Sequence, residues 1–310
     1  MKKMLLLMVL AMTPFFVQAW EPTKPVNVII AYGPGSGNEV LFRKASQIVS
    51  QKHPTTFVLE FKPGANELVG MNQFATAQPD GYTLYSPGVG VWFATAVWYK
   101  KQMSQDPTEW ETVISLAEAP IALFASTTST VYNPSQFATA LRSGRKVDVG
   151  VGAPVMVLAY EYMARATKST GSQRVMYNSP AAVAQAVASN QLEFGIAPLS
   201  VANELVKAGK MKIVGITGNH KFSNYANLSS EFTGLTLVAH AGLVLPKGTP
   251  KPVVDYYRAV FSEAIATQEY QDFLKSITWY DSLQTPANYR SFIDTQRKQW
   301  IPVAESIPFN

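Results

Sequence analysis

The 310-residue chain predicts an α/β fold in two domains with a ligand cleft at a two-crossing hinge, and three observations carry that reading. Short apolar, β-branched runs alternate with segments of helical spacing, once between residues 26 and 86 and again between 147 and 217, the pattern of strands joined by crossover helices. Glycine-rich loops follow strands in both stretches. The chain then returns, with a strand at 240–246 and three closing helical segments, so it passes twice between the halves.

Taken in order, Lys2 and Lys3 precede an apolar run from Met4 to Phe16, and Val17-Gln18-Ala19 has the small-x-small form of a signal-peptidase site. Cleavage after Ala19 is expected, giving an exported, soluble protein, because thirteen apolar-biased residues are short for a bilayer span. The absence of cysteine excludes a lipidated N-terminal Cys, disulfides and thiolate metal sites. Removing the leader lowers the formal charge from +5 to 5 − 2 = +3, too mild and too scattered to argue nucleic acid. With 47% hydrophobic and 15% charged residues, the mature 310 − 19 = 291 residues suit two well-filled globular domains.

The stretch Tyr32-Gly-Pro-Gly-Ser-Gly-Asn-Glu39 joins a strand at 26–31 to a helix marked by Val40, Leu41, Ala45, Ile48 and Val49. Gly33, Gly35 and Gly37 allow positive φ and close approach of a ligand, while Ser36 or Asn38 can cap the helix. The free N–H groups of that first turn suit an anionic or strongly polar group. A dinucleotide fingerprint needs a third glycine where Val40 stands, although Glu60 follows at a fitting distance; a P-loop needs Gly-Lys-Ser/Thr, which is missing. A turn that only reverses the chain is the remaining alternative.

A strand at 57–61, a loop at 62–66 and a helix over 66–77 follow; Pro79-Asp-Gly81 then turns into a strand at 82–86. Ser86 leads into a second glycine loop with Gly88 and Gly90 on the same sheet edge as the first, the edge where open α/β sheets bind ligands. Of the nearby aromatics Trp92, Phe93, Trp98 and Tyr99, Trp92 is the candidate for a ligand wall; core packing is the competing role. A strand at 121–125 and a Ser/Thr run at 126–130, read as a linker, lead to the second unit. Its elements are helix 135–141, strand 147–151, helix 155–166, strand 174–177, helix 181–189, strand 192–196, helix 201–208 and strand 212–217. Gly150, Gly152, Ala153 and Pro154 form its first loop. Helices at 253–267, 269–277 and 287–300 close the chain.

Enzymatic chemistry finds little support. His53, His220 and His240 lie far apart and in no metal-ligand spacing, the flanks of Ser36 break the nucleophile-elbow pattern, and no carboxylate pair stands out. An exported α/β hydrolase or isomerase stays open as an alternative that lacks a visible nucleophile and base.

The segment from Pro25 to Glu39 resembles the opening strand and loop of the solute-binding proteins of tripartite tricarboxylate transporters, the TctC or Bug family. Lys62-Pro-Gly-Ala65, Gln78 to Leu84, Lys207 to Thr217 and Leu245 to Pro250 are similar as well, in order along the mature chain. The resemblance implies a type II, Venus-flytrap periplasmic binding protein, with residues 20–124 and 240–310 in one domain and 125–239 in the other. It implies a monomeric receptor without cofactor or metal that takes a small carboxylate and passes it to the permease subunits of a cation-coupled transporter; a signalling receptor is the alternative partner. The implied ligand residues are Tyr32, Gly35, Ser36, Gly37, Asn38, Glu39, Ser86, Gly88, Gly90, Trp92, Gly150, Gly152, Ala153, Pro154, Tyr177 and Ala197. Glu39 stands where the family usually has aspartate, and Ala197 where many members have an aspartate toward the ligand. The second loop, 152–155, lacks the family's hydroxyl and amide groups, so the expected solute has a more apolar or aromatic second half.

Overall fold

The computed structural model describes residues 20–218, 224–281, 283 and 285–308; the expected leader and His220 lie outside the described residues. The first unit runs β1 (Val26–Ile30), α1 (Gly37–Lys52), β2 (Phe57–Phe61), α2 (Leu68–Phe74), β3 (Thr83–Ser86) and α3 (Ala94–Trp98). A long strand β4 (Glu111–Ser126) follows. The second unit comprises α4 (Pro134–Arg142), β5 (Val147–Val151), α5 (Pro154–Ala166), β6 (Ser172–Met176), α6 (Pro180–Ala188), β7 (Phe194–Pro198), α7 (Leu199–Lys207) and β8 (Met211–Ile216). The chain returns through β9 (Val238–Leu245) and ends in α8 (Lys251–Ala266), α9 (Gln268–Ser276) and α10 (Pro286–Glu305).

Helix starts follow side-chain chemistry. Ser36 accepts from the Glu39 N–H at the head of α1, Asn133 caps α4, Ser179 caps α6 and Thr285 caps α10. Proline occupies the first turn of α4, α5, α6, α8 and α10, where its missing N–H costs nothing. On α1 the buried Leu41, Phe42, Ala45, Ile48 and Val49 make one apolar stripe, and α8 packs beside it.

The strands are ordered β2-β1-β3-β9-β4-β7-β5-β6, with β8 also paired to β4. β1 is parallel to β2 and β3, and β5 is parallel to β6 and β7, so each lobe has its βαβ core. The returning β9 lies antiparallel between β3 and β4. This mixed α/β architecture has two lobes joined by shared strands.

β4 is where the structure departs most from the expected elements. Residues 111–120 pair with β9 in the first lobe, and residues 121–126 pair with β7 and β8 in the second. The crossing therefore runs inside a strand near Pro120 and Ile121, and the Ser/Thr run after it follows the last pairing of the second lobe instead of linking the lobes. The two passages are tied by Thr217, which is fully buried: its hydroxyl accepts from the Ile121 N–H at 3.0 Å and donates to the Leu237 carbonyl at 2.5 Å. The expected helix over 66–77 begins later, at Leu68, because Ala65, Asn66 and Glu67 have φ of 44°, 51° and 73°.

Candidate ligand site

Between the lobes lies a cleft of about 710 Å³. The first lobe contributes loops at 31–38, 63–67 and 88–89; the second contributes 152–156, 176–181 and residues 198, 200 and 201. Ala239, His240 and Trp279 complete the wall from the returning chain. Four helices begin on this cleft: α1 at Gly37, α5 at Pro154, α6 at Pro180 and α7 at Leu199, beside the lining residues Pro198 and Ser200. Their first-turn N–H groups and dipoles favour an anion or a strong acceptor from both sides.

The first wall is held by cross-ties between its own loops. Gly35, at φ 82°, donates its N–H to Glu39 Oε2 at 2.6 Å, and Arg43 Nε meets Glu39 Oε1 at 2.7 Å, so the loop is clamped to its own helix. Asn38 donates from Nδ2 to the carbonyls of Ser86 and Pro87 at 3.2 and 3.0 Å and lies 3.1 Å from Ser86 Oγ, joining the first loop to the one after β3. Trp279 covers Gly37 so closely that a Cβ there would sit 2.6 Å from the indole ring.

At the centre of this wall is Glu67, which is 2% exposed. Its carboxylate accepts from the Tyr32 hydroxyl and, at 2.8 Å, from the Gly88 N–H. Burial pushes its pKa up to about 7 against these two stabilising hydrogen bonds. Tyr32 is pushed well above the usual tyrosine range by burial and by the neighbouring Glu67 charge. Three successive residues other than glycine hold left-handed conformations to bring Glu67 here, a strain of the sort that collects at ligand clamps. His240 lies 3.0 Å from Ser115 Oγ and stacks on Tyr289, and burial lowers its pKa to about 3, so it is neutral.

The second wall is more apolar. Ala153, Pro154, Val155, Met156, Met176, Tyr177, Pro180 and Ala181 form most of it, with Asn178, Ser179 and Ser200 as its polar side chains. Gly152 is wedged against the start of α6: a Cβ there would lie 2.4 Å from the Ser179 carbonyl carbon. The lobes meet where Pro154 faces Gly90, at whose position a Cβ would come within 2.8 Å of the proline ring.

Of the residues singled out in the sequence, Tyr32, Gly35, Ser36, Gly37, Asn38, Gly88, Gly152, Ala153, Pro154 and Tyr177 line the cleft. Glu39 and Ser86 stand behind it as supports of the first loop. Trp92 does not line it: the indole is fully buried and packs at 5.4 Å on Trp110. Gly150 lies under Val183 and Leu192, and Ala197 is buried in β7 opposite Ala122. Among the described residues, no group of three potential metal ligands is found. Sequence reasoning missed Asn66 and Glu67, the second-lobe groups Asn178, Ser179 and Ser200, and Trp279. The Pro63-Gly64 turn ahead of Glu67 was the one available signal.

Known proteins resemble this chain in sequence and in fold. The family model of the tripartite tricarboxylate transporter family receptor matches residues 41–308. A UPF0065 protein of Bordetella bronchiseptica is 22% identical over 252 residues, covering 80% of this chain and 75% of the relative. A UPF0065 protein of Cupriavidus necator is 23% identical and covers 94% and 90%. Among solved structures, MatC from Rhodopseudomonas palustris with bound malate superposes with a TM-score of 0.82 at 21% identity, covering 92% of this chain and 100% of that one. A second R. palustris protein, with adipate, has a TM-score of 0.84 at 20% identity and covers 92% and 97%. The periplasmic binding protein BugD has a TM-score of 0.81 at 21% identity and covers 91% and 97%. These likenesses show the two-domain periplasmic-binding-protein fold.

Proposed function

We propose, from the premise that this chain belongs to the tripartite tricarboxylate transporter receptor family, that it captures a small carboxylate-bearing organic solute in the periplasm and delivers it to a membrane permease of that system. The observation that carries the proposal is the convergence of four helix N-termini, one from the first lobe and three from the second, on a single cleft. Such an arrangement binds an acid only when both lobes face it, so the solute favours the closed state by its differential affinity, with no covalent step. The malate and adipate in the similar R. palustris structures support a carboxylate class. The apolar second wall, with Met156, Met176 and Tyr177, favours a solute whose other end is apolar or aromatic. Residues 20–124 and 240–310 are proposed as the first domain and 125–239 as the second, with the crossing itself a few residues earlier in β4, near Pro120 and Ile121.

The test is a thermal-shift screen of residues 20–310 against dicarboxylates, tricarboxylates, aromatic acids, amino acids and neutral amides, with product formation followed in parallel. A solute at a hundred times its dissociation constant adds about 2.7 kcal/mol, a rise of several degrees. A shift with an acid and no turnover is expected. Turnover of the solute, or shifts with neutral compounds only, would overturn the proposal.

A further inference from the structure

We infer that Glu67 makes this cleft select a solute that carries a cationic nitrogen beside its carboxylate, an amino-acid-like zwitterion, over a dicarboxylate of the same shape. The inference rests on the receptor reading above and names the class of solute within it. Three observations carry it.

First, Glu67 is a lining residue whose carboxylate is cut off from water and held by two neutral donors, the Tyr32 hydroxyl and the Gly88 N–H. Second, among the described residues no lysine or arginine lines the cleft, so the positive partial charges of four helix starts are the acid-binding elements and Glu67 is the carboxylate of the wall. Third, the backbone accepts left-handed conformations at Ala65, Asn66 and Glu67 to keep the side chain there. A cleft of about 710 Å³ is only about 9 Å on a side, so both ends of a solute held in it lie within the field of Glu67.

The consequence differs for the two kinds of solute. A zwitterion sets its ammonium in the field of the ionised Glu67 and its carboxylate on the helix starts, so it binds better as Glu67 loses its proton. A dicarboxylate places a second negative charge in that field and binds well only when Glu67 takes up a proton. The other titratable groups facing Glu67 are Tyr32 on the first loop and Tyr85 on β3, both pushed up by burial and by the Glu67 charge, so both stay neutral. His240 on β9, neutral, lines the same cleft. With Glu67 titrating about 7, dicarboxylate binding weakens as pH rises through neutrality, by up to tenfold per unit, and zwitterion binding does not.

The experiment is calorimetric titration of residues 20–310 with matched pairs: adipate and 6-aminohexanoate, succinate and 4-aminobutanoate, benzylmalonate and phenylalanine. Each pair is measured at about pH 6.5 and about pH 8, on the native protein and on Glu67→Gln. The expected result is a zwitterion preference of tenfold or more at the higher pH in at least one pair, shrinking at the lower pH, and abolished in Glu67→Gln. A dicarboxylate that binds as tightly as its zwitterion at the higher pH, with no dependence on pH, overturns the inference and leaves the receptor reading standing. The pH comparison on the native protein decides the matter if Glu67→Gln does not fold. Binding by none of these acids overturns the inference together with the reading beneath it.

Discussion

The two walls of the cleft are built on different principles. On the first, polar groups are spent on one another: Glu39 with Gly35 and Arg43, Asn38 with Ser86 and Pro87, and Glu67 with Tyr32 and Gly88. On the second, small and apolar residues bring three helix N-termini up to the cleft, and Ser179 is engaged in capping α6. The first wall is therefore a pre-organised frame whose side chains shape the site. The second leaves its backbone donors toward the solute and supplies an apolar surface against which the rest of the molecule can lie. Pre-organisation on one side lowers the ordering cost of binding, and an apolar surface on the other offers contact area without demanding one polar pattern.

That contrast can be broken from either side. Gly152→Val should do most damage, because the new side chain meets the backbone of Ser179 and Pro180. We expect about 3 kcal/mol or more of lost stability by denaturant unfolding, since backbone has nowhere to yield. Glu67 sharpens the comparison through pH. Folding raises its pKa from 4.5 to about 7, so its stabilising contribution is full below about 4.5 and is lost as pH rises through about 7. Glu67→Gln should thus gain on the native protein by about 3 kcal/mol between acidic and mildly alkaline pH, read as the change in their stability difference. Asn38→Ala leaves the buried Ser86 and Pro87 carbonyls without their donor and should cost about 1–3 kcal/mol, with weaker solute binding as the two loops part. Glu39→Gln keeps an acceptor for Gly35 but loses the charge at the start of α1, so about 0.3–1 kcal/mol is expected, with affinity nearly unchanged.

What could be read from the chain followed physical rules that act locally. The strand-loop-helix units around Gly33 to Gly37 and Gly152 to Pro154 were legible because glycine, proline and apolar spacing mark them within a few residues, and those loops do line the cleft. The crossing in β4 was not, because Glu111, Glu118 and Pro120 interrupt the apolar pattern; what keeps the strand running is its pairing with β9, more than a hundred residues later. The left-handed turn at 65–67 was hidden at its last residue for a related reason: Glu is an ordinary helix residue, and contacts with Tyr32 and Gly88 hold Glu67 beyond the loop read at 62–66. Trp92 misled because an aromatic beside a glycine loop suits a ligand wall as well as a core, and only packing against Trp110 decides. Trp279 reaches Gly37 from a segment 242 residues away, a distance no local pattern spans.

The most direct test of the account is a crystal structure of residues 20–310 with the solute that raises the melting temperature most. The solute is expected in the cleft, its carboxylate on N–H groups from α1 and at least one of α5, α6 and α7, and its remainder against Met156, Met176 or Tyr177. A solute bound outside the cleft, or touching one lobe alone, would contradict it.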